Sequence, residues 1–143
     1  MTTQIKAFND LSPADLYEIL KARFNVFYLE QQIRYPDMDN VDYLATHLSL
    51  RRNGLVIAYA RLFPDSEPGV LRIGRMLTTE RGKGFGRLLM QQIIEETKHQ
   101  QASLLRLHAQ VQAVPFYQRM GFQTVGDIFY EAEIPHIFME LHL

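Results

Sequence analysis

Residues 81–87 read Arg81-Gly82-Lys83-Gly84-Phe85-Gly86-Arg87, a stretch whose residue types and spacing suit it to holding an anion. Glycine lets the backbone take positive φ and come close to a ligand. Successive N–H groups then point at one place, and the positive end of a following helix strengthens the field there. Arg81, Lys83 and Arg87 add full charges, although Lys83 and Arg87 read equally well as a solvated basic rim. Before the loop lies the apolar run Val70–Leu77, which reads as a strand, and after it Leu88–Ile94 opens a helix. Strand, glycine loop and helix in that order form a phosphate cradle, and the implied ligand is a diphosphate.

Two familiar cradles do not fit. A dinucleotide fold needs G-x-G-x-x-G and an acidic residue about 20 positions on. Here the spacing is G-x-G-x-G, and Glu95 and Glu96 fall inside the predicted helix. A P-loop needs Gly-Lys followed by Ser or Thr, and no such run exists. What stands is Arg81-x-x-Gly84-x-Gly86, with an ordinary glycine-rich connection as the plain alternative.

The elements that must position this loop follow from periodicity. Thr3–Phe8 reads as a short first strand. Ser12-Pro13-Ala14-Asp15 starts a helix: Ser12 caps, Pro13 suits the first position and Asp15 the positive end. Leu16, Ile19, Leu20, Phe24, Phe27 and Tyr28 carry that helix to about Glu30. Residues 31–42 are a polar loop broken at Pro36, with room for one helical turn. Asp37, Asp39 and Asp42 lack the glycine and terminal glutamate of a calcium loop, so they read as a solvated acidic segment. His47–Arg52 and Leu55–Leu62 pair through Asn53-Gly54. Val70–Leu77 completes the meander.

The helix from Gly84 runs to about Gln100, and Ser103–Ala109 returns as a strand parallel to Val70–Leu77. Val111–Met120 reads as a short helix closed by Gly121, with Phe116 and Met120 towards the core and Tyr117 turned to the sheet edge. Phe122–Gly126 and His136–His142 read as the last strands, joined by Ile128–Pro135, a connection with room for some strand.

Composition narrows the class. The 143 residues suit one domain spanning 1–143, and 47% hydrophobic residues describe a globular chain. A net charge of −1 offers no broad basic field for nucleic acid. With no cysteine, thiol nucleophiles, disulfides and cysteine-ligated metals are excluded. No apolar run reaches the about 18 residues of a spanning helix, and Met1-Thr2-Thr3-Gln4 lacks the form of a leader. The expectation is a cytoplasmic protein with no membrane or nucleic-acid partner and no metal.

Arg81-x-x-Gly84-x-Gly86 resembles the acetyl-CoA signature [QR]-x-x-G-x-[GA] of the GNAT superfamily of N-acetyltransferases. A second stretch, Ala113-x-x-Phe116-Tyr117-x-x-x-Gly121-Phe122, resembles the superfamily's A-x-x-F-Y-x-x-x-G-F. Arg23-x-x-Val26-Phe27-x-x-Glu30-Gln31, Ile73-Gly74-Arg75 and Glu131-x-x-Ile134-Pro135-His136-Ile137 are similar to the small bacterial ElaA-type branch. The resemblance implies an α/β fold with a mixed sheet whose two central parallel strands splay, flanked by helices. It implies acetyl-CoA as cosubstrate and a small-molecule or protein amine as acceptor. Homodimers are common in the superfamily, and no stretch here specifies one.

Transfer from a thioester to an amine needs a held diphosphate, a polarised carbonyl, a base for the amine and an acid for the thiolate. The resemblance assigns the first to residues 81–87, and the second to main-chain N–H at Met76 or Leu77 where the strands splay. Tyr117 matches the superfamily's tyrosine and would protonate the thiolate; its plain reading is a packed ring. The base stays open among Glu30, His47, Glu131, His136 and a water chain. Histidine suits the task near neutral pH, yet His136 before Ile137-Phe138-Met139 also reads as structural. Glu30 could instead attract the amine or end its helix, and Arg23 reads best as tying down Asp37–Asp42. A non-catalytic acyl-CoA-binding sensor would share the loop, whereas Tyr117 favours an enzyme; the glycine spacing disfavours a nucleotide-binding protein.

Overall fold

The computed structural model describes residues 1–143. Its strands are β1 (Thr2–Ala7), β2 (Thr46–Arg52), β3 (Leu55–Pro64), β4 (Val70–Thr78), β5 (Leu104–Gln110), β6 (Gln123–Glu131) and β7 (Ile134–His142). They form one sheet in the order β1-β2-β3-β4-β5-β7-β6. Only β4 and β5 run parallel, as a helical crossover between them requires.

Strand alternation sorts the two faces. Leu48, Leu50, Ala58, Ala60, Leu62, Leu71, Ile73, Leu105 and Leu107 form one continuous core with Leu89, Met90 and Ile93 of α2 (Phe85–His99). Fully burying each of the larger aliphatic side chains is worth about 1.5–3 kcal/mol. On the other face Val56, Tyr59 and Leu77 pack on Ile19, Ala22 and Val26 of the first helical segment. No helix is long and apolar enough to cross a membrane.

The first helical segment divides. α1 (Pro13–Arg23) is capped as expected, Ser12 and Asp15 exchanging side-chain and backbone bonds. Phe24–Glu30 then winds as a π-helix, with Gln31 N–H reaching Val26 C=O. Spacing of three and four fits both windings, so sequence does not separate them. The wide turn stacks the Phe24 and Tyr28 rings at 5.1 Å.

β4 and β5 pair only from Val70–Ile73 against Leu104–Leu107 and then part. Beyond that point β4 carries a bulge against β3, Gly74 facing Arg61 but Leu77 facing Tyr59. Arg75, inside the bulge, holds φ +54°.

The C-terminal helix is shorter than expected. A 3-10 turn (Val111–Ala113) leads into α3 (Val114–Arg119). Gly121, at φ +101°, closes it: Phe122 N–H bonds Tyr117 C=O and Gly121 N–H bonds Gln118 C=O. That is the paired C-terminal closure glycine permits. Tyr117 and Met120 pack against the core, while the Phe116 ring lies over Gly86 instead. The expectation that Phe116 faces the core is corrected: it packs where the loop comes closest.

The last two strands are longer than expected and form a hairpin through Ala132-Glu133. Both residues take positive φ, 52° and 63°. A two-residue turn of this kind favours Asn-Gly, and neither residue signals it, so the expected connection had room for strand but no placed turn. An L-residue in the left-handed region costs about 1–2 kcal/mol. Ala132→Asn with Glu133→Gly is therefore expected to raise stability by about 1–2 kcal/mol, read as a higher denaturation midpoint; an unchanged or lower midpoint would remove the strain assigned to this turn.

Candidate active site

The glycine loop sits where β4 ends and α2 begins. Gly84 is the N-cap of α2 at φ 78°, ψ 9°, with no side-chain cap. Leu88 N–H is the first in the helix to find an intrahelical partner, Gly84 C=O. The N–H groups of Phe85, Gly86 and Arg87 are those a helix start leaves free. Gly82 also takes positive φ, and a Cβ built at Gly82 or Gly84 meets nothing within 4 Å. Gly86 differs: a Cβ there would lie 3.3 Å from the Phe116 ring. Lys83 pairs with Glu80, and Arg87 is exposed. Phe85 sends its ring to the core, so its part at the loop is its main chain.

Glu30 comes to this loop. It accepts from Arg81 Nη2 at 2.6 Å, and Arg81 also reaches Thr78 Oγ1 at 3.0 Å. Glu30 does not line the cleft described next.

A cleft of about 750 Å³ runs through the gap between β4 and β5. Met76, Leu107 and Tyr117 line it at the gap. Leu77 does not; it is buried beside α1, with Tyr59 opposite it in the ladder. Tyr117 Oη donates to Met76 Sδ at 3.7 Å. Burial pushes the phenol up to about 12, so the hydroxyl is protonated at neutral pH and able to donate.

Past the gap, on the face of α1, four side chains from four strands converge: Arg72, His108, Glu131 and His136. His136 Nδ1–H donates to Ile134 C=O at 2.7 Å. That bond fixes the tautomer and leaves Nε2 as an acceptor, 3.8 Å from Glu131 Oε2. Arg72 Nη2 donates to His108 Nδ1 at 2.9 Å. Glu131 Oε2 lies 3.3 Å from the same nitrogen, a second partner that competes with Arg72 for it. Sequence singled out Glu131 and His136 but not Arg72 or His108. The available signal was alternation along β4 and β5, which puts both on the face opposite Leu71 and Leu107.

The wall beside this cluster is ionic. Arg23 bonds Asp37 and Asp42, Arg61 bonds Asp39 and Asp42, and Arg75 bonds Asp37 and Asp39. The acidic segment is thus a buttress and not a solvated loop, because three arginines reach it from α1, β3 and β4. Bonds from Arg61 hold Asp39 down to about 2. Burial alone would raise Asp42; its bonds from Arg23 and Arg61 outweigh this and lower it.

His47 lies behind the wall, buried, and does not line the cleft. Its Nε2–H donates to Asp42 C=O at 2.9 Å, and Nδ1 accepts from Tyr59 Oη at 2.7 Å. Burial lowers its pKa, so it is neutral at pH 7. The unfolded chain protonates this histidine near 6.5 and the folded one only at lower pH. Stability contributed by neutral burial is therefore present above about 6.5 and is lost as pH falls below it. Asp39 adds a second loss as pH falls from about 4 towards 2. The melting temperature is expected to drop between pH 7 and 5, and His47→Gln to flatten that drop; an unchanged slope in the variant would assign the transition to other groups.

Comparison with known proteins meets this geometry. Residues 21–143 match the model of the Acetyltransferase (GNAT) domain. A UPF0039 protein of Schizosaccharomyces pombe is 42% identical over 143 residues, covering 96% of this chain and 95% of that one. The crystal structure of Escherichia coli ElaA superposes with a TM-score of 0.92 at 31% identity, covering 99% of both chains. An acyl-CoA N-acyltransferase from Pseudomonas aeruginosa gives 0.91 at 31% identity, again covering 99% of both. The fold and the cleft define an acyltransferase, with a mixed seven-stranded sheet opened between two parallel strands. The chain belongs to the GNAT acetyltransferase family and is similar to its ElaA-type members.

Proposed function

We propose that the protein is an acetyl-CoA-dependent N-acetyltransferase in which the thioester and a small-molecule or protein amine meet by direct attack at the gap between β4 and β5. The observation that carries this reading is one cleft lined by both a protonated phenol, Tyr117, and an imidazole with a free acceptor nitrogen, His136. The diphosphate rests on the main chain of residues 82–87, with Arg81 and Arg87 at its edge. Glu30 acts here as a positioning residue, holding Arg81 beside Thr78. Main-chain N–H at Met76 polarises the thioester carbonyl; a donor of this kind is worth about 3 kcal/mol.

The neutral amine nitrogen attacks the carbonyl carbon. A C–N bond forms and the C–S bond breaks. CoA leaves as a thiolate and takes its proton from Tyr117. The nitrogen's surplus proton goes to His136 Nε2, whose other nitrogen is already committed to Ile134. A screen of amines with thiol release as readout tests the reading. Amine-stimulated release is expected; a protein that binds acetyl-CoA but releases no thiol with any amine would be a sensor instead.

A further inference from the structure

We infer that the acceptor is a free α-amino acid with an apolar side chain, its carboxylate held by Arg72 and its amino group by Glu131, which receives it as the ammonium before one proton passes to bulk water and the neutral amine attacks. The inference rests on the transferase reading and specifies its substrate class.

Four arginines face the cleft. Arg23, Arg61 and Arg75 are each matched by two aspartates. Arg72 has no carboxylate at hydrogen-bond distance: its nearest, Glu131 Oε1, lies 4.0 Å away. Its one side-chain bond goes to the His108 ring, and its buried Nε has no acceptor. The guanidinium lies over the Phe63 ring at 5.6 Å, a contact that occupies its face and leaves its edge donors free. Arg61 Nε is also without a partner, but the other nitrogens of Arg61 are bound to Asp39 and Asp42. A planar fork short of acceptors is suited to a carboxylate.

Beside it stands the opposite charge. His108 Nδ1 cannot accept from Arg72 and donate to Glu131 at once. While it accepts, the Glu131 carboxylate has no hydrogen bond from that ring, and it is 45% exposed, open to a ligand. When a ligand carboxylate takes Arg72, His108 is released towards Glu131. The cation and anion are neighbours, so the ligand's anion and cation must be neighbours too. An amine next to its own carboxylate meets that demand. A lysine side chain or a peptide N-terminus does not.

The cleft's mouth gives the side chain. Phe24 and Tyr28, stacked on the π-helix, line it with Tyr35 and Met38, and all four are solvent-exposed. They offer apolar surface in the same cleft, and the charges of its ionic wall are already matched among Arg23, Arg61, Arg75 and the three aspartates.

The test compares phenylalanine, phenylalaninamide, phenethylamine, serine and Nα-acetyl-lysine as acceptors of acetyl-CoA. Phenylalanine is expected to exceed phenethylamine and phenylalaninamide in kcat/KM by about 10- to 100-fold, the worth of one charge-assisted pair, and to exceed serine. Arg72→Gln is expected to bring the phenylalanine to phenethylamine ratio towards one, with melting temperature and acetyl-CoA affinity checked in parallel. Equal use of the two by the wild type, or an unchanged ratio in Arg72→Gln, would overturn the inference. Preference for Nα-acetyl-lysine would overturn it and leave the transferase reading standing. Bound acetyl-CoA with no thiol release from any acceptor would defeat both.

Discussion

Replacing Gly84 by aspartate is expected to weaken acetyl-CoA binding by about 100-fold or more and to leave the fold intact. The position is left-handed, φ 78°, a region aspartate enters more readily than most residues. Nothing lies within 4 Å of a Cβ there, so the protein itself meets no clash. The new carboxylate would stand where the first N–H groups of α2 converge. It would repel the diphosphate and compete for the same donors. Loss of two charge-assisted bonds at the low end of their range gives about that factor. Gly86→Asp is the less clean variant, because its Cβ would press on Phe116 at 3.3 Å. Calorimetry on folded Gly84→Asp decides: wild-type affinity would take the cofactor away from this loop.

Tyr117→Phe is expected to lower kcat by about 100-fold while acetyl-CoA affinity stays near the wild type. The ring packs edge-on against Phe116 and Phe122, contacts that phenylalanine keeps. The hydroxyl's partner is only a thioether, Met76 Sδ, so its removal strands no strong acceptor. What is lost is a proton held where the strands part. General acids contribute about 10²–10⁴-fold, and a CoA thiolate is a tolerable leaving group, which favours the low end. The comparison uses saturating acetyl-CoA and an acceptor for which chemistry limits the rate. Wild-type kcat under those conditions would make Tyr117 a packing residue.

Local chemistry was legible in sequence wherever one residue type decides a conformation. Asn53-Gly54 turned β2 into β3, Ser12 with Asp15 began α1, and Gly121 ended α3. The glycine loop and its helix were legible for the same reason. The π-helix was not, since its apolar spacing serves either winding. Nor was the Ala132-Glu133 turn, which carries residues that pay strain where glycine would not. Of the polar cluster, Glu131 and His136 were singled out but Arg72, His108 and the convergence of all four were not, for a third reason. Arg72, His108, Glu131 and His136 stand on separate strands, and register alone brings them together. The ionic wall is half such a case: sequence tied Arg23 to Asp37–Asp42, as the structure has it, whereas Arg61 and Arg75 reach the aspartates only through the fold.

The parallel seam has a consequence for how the molecule opens. β1 to β4 form one antiparallel block under α2, and β5, β7 and β6 form another under α3. Four residue pairs join the two blocks in the sheet, whereas Leu71 and Ile73 meet Leu105 and Leu107 beneath. Backbone amides at this join are therefore expected to exchange with solvent through an opening smaller than global unfolding. On the proposed reading, acyl-CoA bound between β4 and β5 would touch both blocks and close that route by mass action, so that exchange along the seam is expected to slow in proportion to its occupancy. The enzyme's reactant would then also be the mortar of its sheet, and each release of product would briefly return the two blocks to independent motion.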